Sequence, residues 1–329
     1  MSKNYSLVIG VEQYRDAKIT PVDFATADAK AMAGALNAIG FASEEQELLV
    51  NEKATQNEVR YRIRQLLGSA TSDDTVFFFF SGHGLSQGEK GFLVVEDSRA
   101  DDYVNTTVPM DEILAEIAKS RSRRVALFLD CCHSGLKFPV GERSVLTAMN
   151  AREIEEFFRE SRYQVAFSSC RPDEKSYSSH SLGHGIWTYH LLQALTGKVP
   201  EILEKGRYLR AAGLQTYLAK EVPHSLRAAF TDRRAQNPVL FGSLDRDFLI
   251  GDLDPVLPKP VLGDAAIKAG LKKAEFRQSE SGSVRDLPGF NKSRGHFPPD
   301  SHSSYAVSFI GQVGQAMVDE EAQKWHARI

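Results

Sequence analysis

"RVALFLDCCHSG", residues 124–135, is the stretch on which the fold turns. Val125 to Leu129 is an unbroken apolar run with no polar alternation. That pattern describes a strand buried on both faces, as the inner strands of a parallel sheet are. The run then stops at Asp130-Cys131-Cys132-His133-Ser134-Gly135. Two adjacent thiols at the mouth of a strand need a reason in a chain with three cysteines in all. A second stretch has the same construction. "TVFFFFSGHG", residues 75–84, is an apolar strand that runs into Ser81-Gly82-His83-Gly84.

Outward from these two strands the chain alternates short apolar runs with helical periodicity. Strands are expected at 5–11, 45–51, 163–170 and 237–242, and residues 91–97 read as a hairpin-type excursion. Helices are expected at 26–41, 54–70, 109–120, 183–197 and around 208–221. The first has Ala29, Met32, Ala33, Leu36 and Ile39 on one face and Gly40 as its C-terminal cap. The second has a threonine placed to cap its start and buries Val59, Ile63, Leu66 and Leu67. The order β-α-β-α-β-loop-α-β is that of an α/β domain with a mostly parallel central sheet and helices on both faces. No internal repeat is present. From about 251 to 329 the chain becomes rich in Pro, Gly, Lys and Arg, with one alternating run, "YAVSFIGQV". It reads as a linker and C-terminal appendage rather than an independent core.

Composition narrows the function classes. The chain has 329 residues, 42% apolar and 25% charged, with a net charge of -3. Nothing there favours nucleic acid or an anionic membrane as a partner. Apolar runs such as Val76–Phe80 fall far short of a membrane span of about 20 residues. The first residues lack the apolar core and cleavage site of a secretory signal, since Glu12 interrupts the run. An odd number of cysteines, two of them adjacent, suits a reducing compartment, so a cytoplasmic protein with free thiols is expected.

In open α/β sheets, functional groups gather beyond the carboxyl ends of the strands. If strands 75–80 and 124–130 are neighbours, an imidazole and a thiol emerge together at one edge, each from a small-residue turn. A thiolate nucleophile with a histidine as general base and acid needs that arrangement. Glycines beside His83 permit close approach of a substrate, and turn amides can stabilise an oxyanion. Side chains alternate along a strand, so Asp130 and Cys132 share one side and Cys131 packs inward.

"SGHG" some fifty residues before "DCCHSG" resembles the caspase-like clan of cysteine peptidases, most closely the metacaspases and their bacterial relatives. The likeness extends to "YSLVIGVEQY", to "SSCRPDEKSYSS" with "GHGIWTYHLLQAL", and to "QNPVLFG", covering roughly residues 4–250. The resemblance implies a caspase-like fold, with a p20-like part at about 1–135, a connecting loop at 136–162 and a p10-like part at 163–250. It implies Cys132 as nucleophile, where Cys131 replaces the family's usual Ser, and His83 as its partner. The amides of Gly84 and Cys132 then form the oxyanion hole. It further implies an acidic P1 pocket built from Asp28, Ser81 and Asp130, with Ala25 where relatives carry a Cys. The arginine that true caspases use to hold an Asp substrate has no counterpart near Val22. Desolvating like charges together costs roughly 2–5 kcal/mol, so cleavage of protein substrates after Arg, with Lys second, is the expectation. A zymogen is expected, cut by itself or by an upstream activating protease in the loop bearing Lys137, Arg143 and Arg152, or in the tail.

Blander readings stand beside these. A catalytically silent scaffold or regulatory protein of the same fold is the alternative, although such proteins usually lack the Cys or the His. No metal or other cofactor is expected. Cys131-Cys132-His133 fits tetrahedral zinc poorly, and calcium activation, known in some relatives, has no EF-type loop to support it. Residues 96–102 read as a solvated acidic loop, His184 as a helix start, His133 as a turn residue and Cys170 as a small buried side chain.

Overall fold

The computed structural model describes residues 2–87, 90–132, 164–171, 174–242 and 248–257. β1 (Asn4–Gly10) lies between β2 (Gln46–Val50) and β3 (Thr75–Gln87) and is parallel to both. β3 pairs with β6 (Arg124–Cys132), and β6 with β7 (Gln164–Ser168), again in parallel. β12 (Val239–Phe241) closes the edge antiparallel to β7. The order along the sheet is β12-β7-β6-β3-β1-β2. The chain thus steps outward from β1 to β2 and then back across β1 to β3. With right-handed crossovers, that reversal puts successive helices on opposite faces and opens a crevice at the carboxyl ends of β1 and β3.

Strand alternation fills the two faces. Phe77 and Phe79 of β3, Phe128 of β6 and Phe167 of β7 point to one layer, with α1 (Ala25–Ala38), α5 (Ile186–Leu195) and α6 (Ala211–Ala229). Phe128 stacks between Phe77 and Phe167, with ring centroids 4.4 and 4.7 Å away. Phe78, Phe80, Leu127, Leu129 and Cys131 point to the other layer, under α2 (Gln56–Ser69) and α4 (Met110–Lys119). Each fully buried large apolar side chain contributes about 1.5–3 kcal/mol. The Thr55 hydroxyl caps α2 by accepting from the Glu58 amide, and Gly40 (φ 97°) ends α1 in the left-handed region. Gly10 is a close-approach glycine: a Cβ there would lie 2.4 Å from the Ala25 carbonyl oxygen and 2.6 Å from the Ala29 Cβ. Its absence lets the start of α1 settle directly on β1.

Several expectations are corrected. Ser81–Gly84 and Cys131–Cys132 are strand, not turns. β3 runs on to Gln87 because β4 (Lys90–Leu93) pairs with its extension in an antiparallel hairpin, while β6 stays in register on the other side. β5 (Val108–Pro109), after the short α3 (Tyr103–Thr106), pairs with β4. The helix expected at 208–221 begins later and runs further. Residues Tyr208–Arg210 are β11, in a small sheet with β10 (Leu203–Glu204) and β13 (Leu249–Asp252). α6 then continues through Pro223, because buried Leu214, Leu218, Val222 and Leu226 carry its apolar stripe past the missing amide. The helix expected from 183 begins at Ile186, after a hairpin of β8 (Ser178–Ser179) and β9 (His184–Gly185). The compact unit reaches Leu257 rather than stopping at 250, with Leu253 fully buried. The remaining tail, the loop with Lys137, Arg143 and Arg152, His133 and "YAVSFIGQV" lie outside the described residues.

Candidate active site

The register between β3 and β6 organises the site. Ser81 is the Cα partner of Asp130, Gly82 of Cys131 and His83 of Cys132. Ser81 and His83 continue the Phe77–Phe79 parity, and Asp130 that of Ala126 and Phe128, so they emerge where that layer opens. Cys131 falls into the opposite layer at 7% exposure. It packs against Gly84, where a Cβ would stand 2.8 Å from the Cys131 Cβ. Position 132 is next in the register of Asp130; its backbone ends β6.

His83 is fully buried. Its Nε2 lies 2.7 Å from the Thr20 carbonyl oxygen, which only accepts, so in the neutral ring Nε2 carries the proton and Nδ1 the lone pair. The Tyr14 ring stacks on the imidazole at 5.3 Å, and its hydroxyl accepts from the His83 amide at 3.0 Å. Tyr14 and Thr20 belong to the β1–α1 loop. Glu12 ties that loop down, its carbonyl accepting from the Val22 amide and its carboxylate from the Thr26 amide. Sequence patterns missed Thr20 because a backbone carbonyl has no residue signature.

Beside the histidine opens a cavity of about 480 Å³ whose lining includes Asp28, Ser81 and Asp130. Asp130 is 5% exposed. Its two oxygens accept from the Ser176 hydroxyl at 2.7 Å and the Thr188 hydroxyl at 2.6 Å. Gln236, fully buried, donates to Ser176 Oγ and thereby aims it. Asp28, 1% exposed, accepts from Ser81 Oγ at 3.2 Å, His184 Nδ1 at 2.7 Å and the Gly185 amide at 3.3 Å. Burial, and more weakly the Asp130 charge, push the Asp28 carboxyl up to about 6 against the pull of His184. Burial also raises the Asp130 carboxyl, against the pull of Thr188 and Ser176. Gly185 sits between the two acids: a methyl there would meet Asp130 Oδ2 at 2.8 Å and Asp28 Oδ2 at 3.2 Å. His184 is therefore a partner of Asp28 in β9, not simply the start of a helix.

Basic residues share the lining: Lys175 and Arg234 line the same cavity, as do Val22 and Asp23. Arg234 bonds Asp232 at 2.7 Å, and its guanidinium lies 3.8 Å over the Phe230 ring and 4.9 Å from that of Tyr177. Phe24, the residue before α1, holds a left-handed φ of 69°, uncommon for a bulky side chain. The acidic stretch 96–102 is less solvated than expected. Glu96 accepts from Arg15 at 2.9 Å, and Asp97 from the Gln56 amide at 2.8 Å. Cys170 is buried, as expected. No group of three His, Cys, Asp or Glu placed to hold a metal occurs among the described residues. No helix among them is long and apolar enough to cross a membrane.

Two solved structures share the architecture. A protein from Geobacter sulfurreducens has a TM-score of 0.51 at 19% identity, covering 78% of this chain and 98% of its own. Caspase-1 from Spodoptera frugiperda has a TM-score of 0.50 at 13% identity, covering 77% and 91%. No curated protein matches the sequence. The model of the peptidase family C14 caspase domain matches residues 3–249. With that match over most of its length, and with an α/β sheet of the caspase kind, the chain belongs to the caspase-domain family of cysteine peptidases.

Proposed function

We propose that this protein is a cysteine endopeptidase that cleaves its protein substrates after arginine, and after lysine less well. The observation that carries the reading is the β3–β6 register, which sets His83 against Cys132 one step beyond the Ser81–Asp130 pair. Cys132 supplies the thiolate that attacks the scissile carbonyl. His83 Nδ1 takes the thiol proton and passes it to the leaving amine. Water then hydrolyses the thioester, with His83 as base. The Thr20 carbonyl and the Tyr14 ring hold the imidazole in orientation. The amides of Gly84 and Cys132 are assigned to the oxyanion.

The arginine side chain enters the cavity toward Asp28 and Asp130. Two buried carboxylates that resist ionisation are stabilised by a guanidinium, whose planar fork meets both better than an ammonium does. A substrate aspartate would add a third negative charge to the same space. Lys175 and Arg234, which line the same cavity, supply the contrary observation, since they would favour an acidic side chain.

The test is hydrolysis of matched fluorogenic peptides with Arg, Lys or Asp at P1, by the full chain and its Cys132→Ala form. Arginine cleavage that vanishes in C132A is expected. Cleavage after Asp would overturn the pocket assignment. No cleavage by full-length or proteolytically nicked protein would return the chain to the scaffold reading.

A further inference from the structure

Asp28 balances the charge of a cationic side chain only when it is ionised, and its surroundings work against that. Asp130 on β6 faces it as a second carboxyl, Ser81 on β3 is neutral, and Lys30, the cation of α1, is exposed to solvent. Lys175 and Arg234 line the cavity without bonding Asp28. The one ionisable base bonded to it among the described residues is His184 on β9, 2.7 Å from Oδ1. The His184 side chain is 23% exposed where that of Asp28 is 2%. It stands behind the carboxylate, is not part of the cavity lining, and takes no part in the peptidase chemistry described above.

Resting on the endopeptidase reading, we infer that His184 is the specificity-determining residue of this site, holding Asp28 ionised and in place so that a P1 arginine meets two carboxylates rather than one. The Nδ1–H bond and the Gly185 amide engage Asp28 from the same short strand, and Ser81 takes the other oxygen. These bonds leave the carboxylate fixed beside Asp130. Without the imidazole, Asp28 keeps its burial and its like-charged neighbour but loses its strongest compensating bond. Its carboxyl then holds its proton more tightly than in wild type, and the pocket loses the charge of Asp28. His184 is a positioning residue, acting on substrate only through Asp28.

A role limited to tying β9 to α1 would affect all substrates alike, whereas setting charge affects cationic ones. The experiment compares kcat and KM for peptides with P1 arginine and its neutral isostere citrulline, from pH 5 to 8, in wild type, H184A, H184Q and H184N. Asparagine presents an amide where Nδ1 stands; glutamine keeps the bulk but presents it where Nε2 stands, away from Asp28. Loss of a hydrogen bond to a charged group predicts about a tenfold fall in kcat/KM for arginine in H184A and H184Q. The fall should be carried by KM, with citrulline changed less than about twofold. The midpoint at which KM for arginine rises with acid, set in wild type by Asp28 at about 6, should move upward. H184N should recover most of the loss. If H184A does not fold, H184Q decides alone. An unchanged arginine-to-citrulline ratio and midpoint, or equal losses on both peptides, overturns the inference. A wild type that ignores arginine at every pH overturns the endopeptidase reading instead.

Discussion

Replacing Asp28 with asparagine should make the protein more stable and a worse peptidase. Its carboxyl is raised from 3.8 to about 6, with burial the main cause. The folded state therefore binds the proton more tightly than the unfolded chain. A raised carboxyl contributes full stability only below its unfolded value, and that contribution is lost as pH climbs through 3.8 to about 6. At about 1.4 kcal/mol per unit, ionising Asp28 costs the native state on the order of 3 kcal/mol at pH 7. The neutral amide of the variant would keep the shape and shed most of that cost. The measurement is urea unfolding of D28N and its parent at pH 4.5 and 7.5, both in the C132A background to prevent self-cleavage. A gain of about 1–3 kcal/mol at pH 7.5 that shrinks toward zero at pH 4.5 is expected. In the active background, kcat/KM for a P1 arginine should fall at least tenfold. D28N that is less stable than its parent at pH 7.5, with the same pH slope, would refute the account of a buried, costly charge.

Three further outcomes follow from the same geometry. Gly185→Ala, whose methyl would meet both pocket carboxylates inside 3.3 Å, should cost about 1–3 kcal/mol in thermal unfolding and lower arginine hydrolysis at least tenfold. Cys131→Ala removes a thiol packed with Leu127 and Leu129 in the layer away from the site. It should cost about 1 kcal/mol in the same assay yet change kcat less than threefold, unlike C132A. His190, bonded by Tyr217 at 3.0 Å and Ser225 at 2.8 Å, is lowered from 6.5, with burial the main cause. Its contribution is complete above 6.5 and is lost as pH falls below it, so His190→Gln should flatten the acid limb of the stability profile below 6.5.

Much of this architecture was legible because two strands carry unbroken apolar runs. VALFL and VFFFF, short and rich in β-branched and aromatic residues, read as inner strands, and period-two alternation then separates Cys131 from Asp130 without any structure. The pocket acids Asp28 and Asp130 were legible only through the family resemblance. Their confluence on Gly185, from α1, β6 and β9, is a long-range fact that no local pattern encodes. Thr20 acts through its backbone, so its identity carries no signal. The end of α6 at Ala229 is hard to see in the sequence because Pro223 reads locally as a stop, and the buried stripe through Leu226 overrides it.

Positions 83 and 132, proposed to react, lie on extended strands, not turns, and that has a mechanical consequence. A turn can relax around a lost contact, but His83 is fixed on one side by pairing of β3 with β6 and beyond it by the β4 hairpin. The Val94 amide closes this hairpin on the His83 carbonyl at 2.9 Å. The β1–α1 loop then holds the ring from above through Thr20 and Tyr14. Gly84 is where these constraints meet, since its missing Cβ admits Cys131 from the neighbouring strand. The adjacent cysteines at the mouth of β6 are separated by strand parity: the first packs its Cβ against Gly84, and the second is the Cα partner of His83 in the register that this contact supports. Gly84→Ala should therefore act like a register error rather than a cavity, lowering kcat at least tenfold with KM for arginine little changed, because the pocket carboxylates one step down are untouched. Equal kcat in G84A and wild type would show that the Cys131 contact does not set the height of the nucleophile.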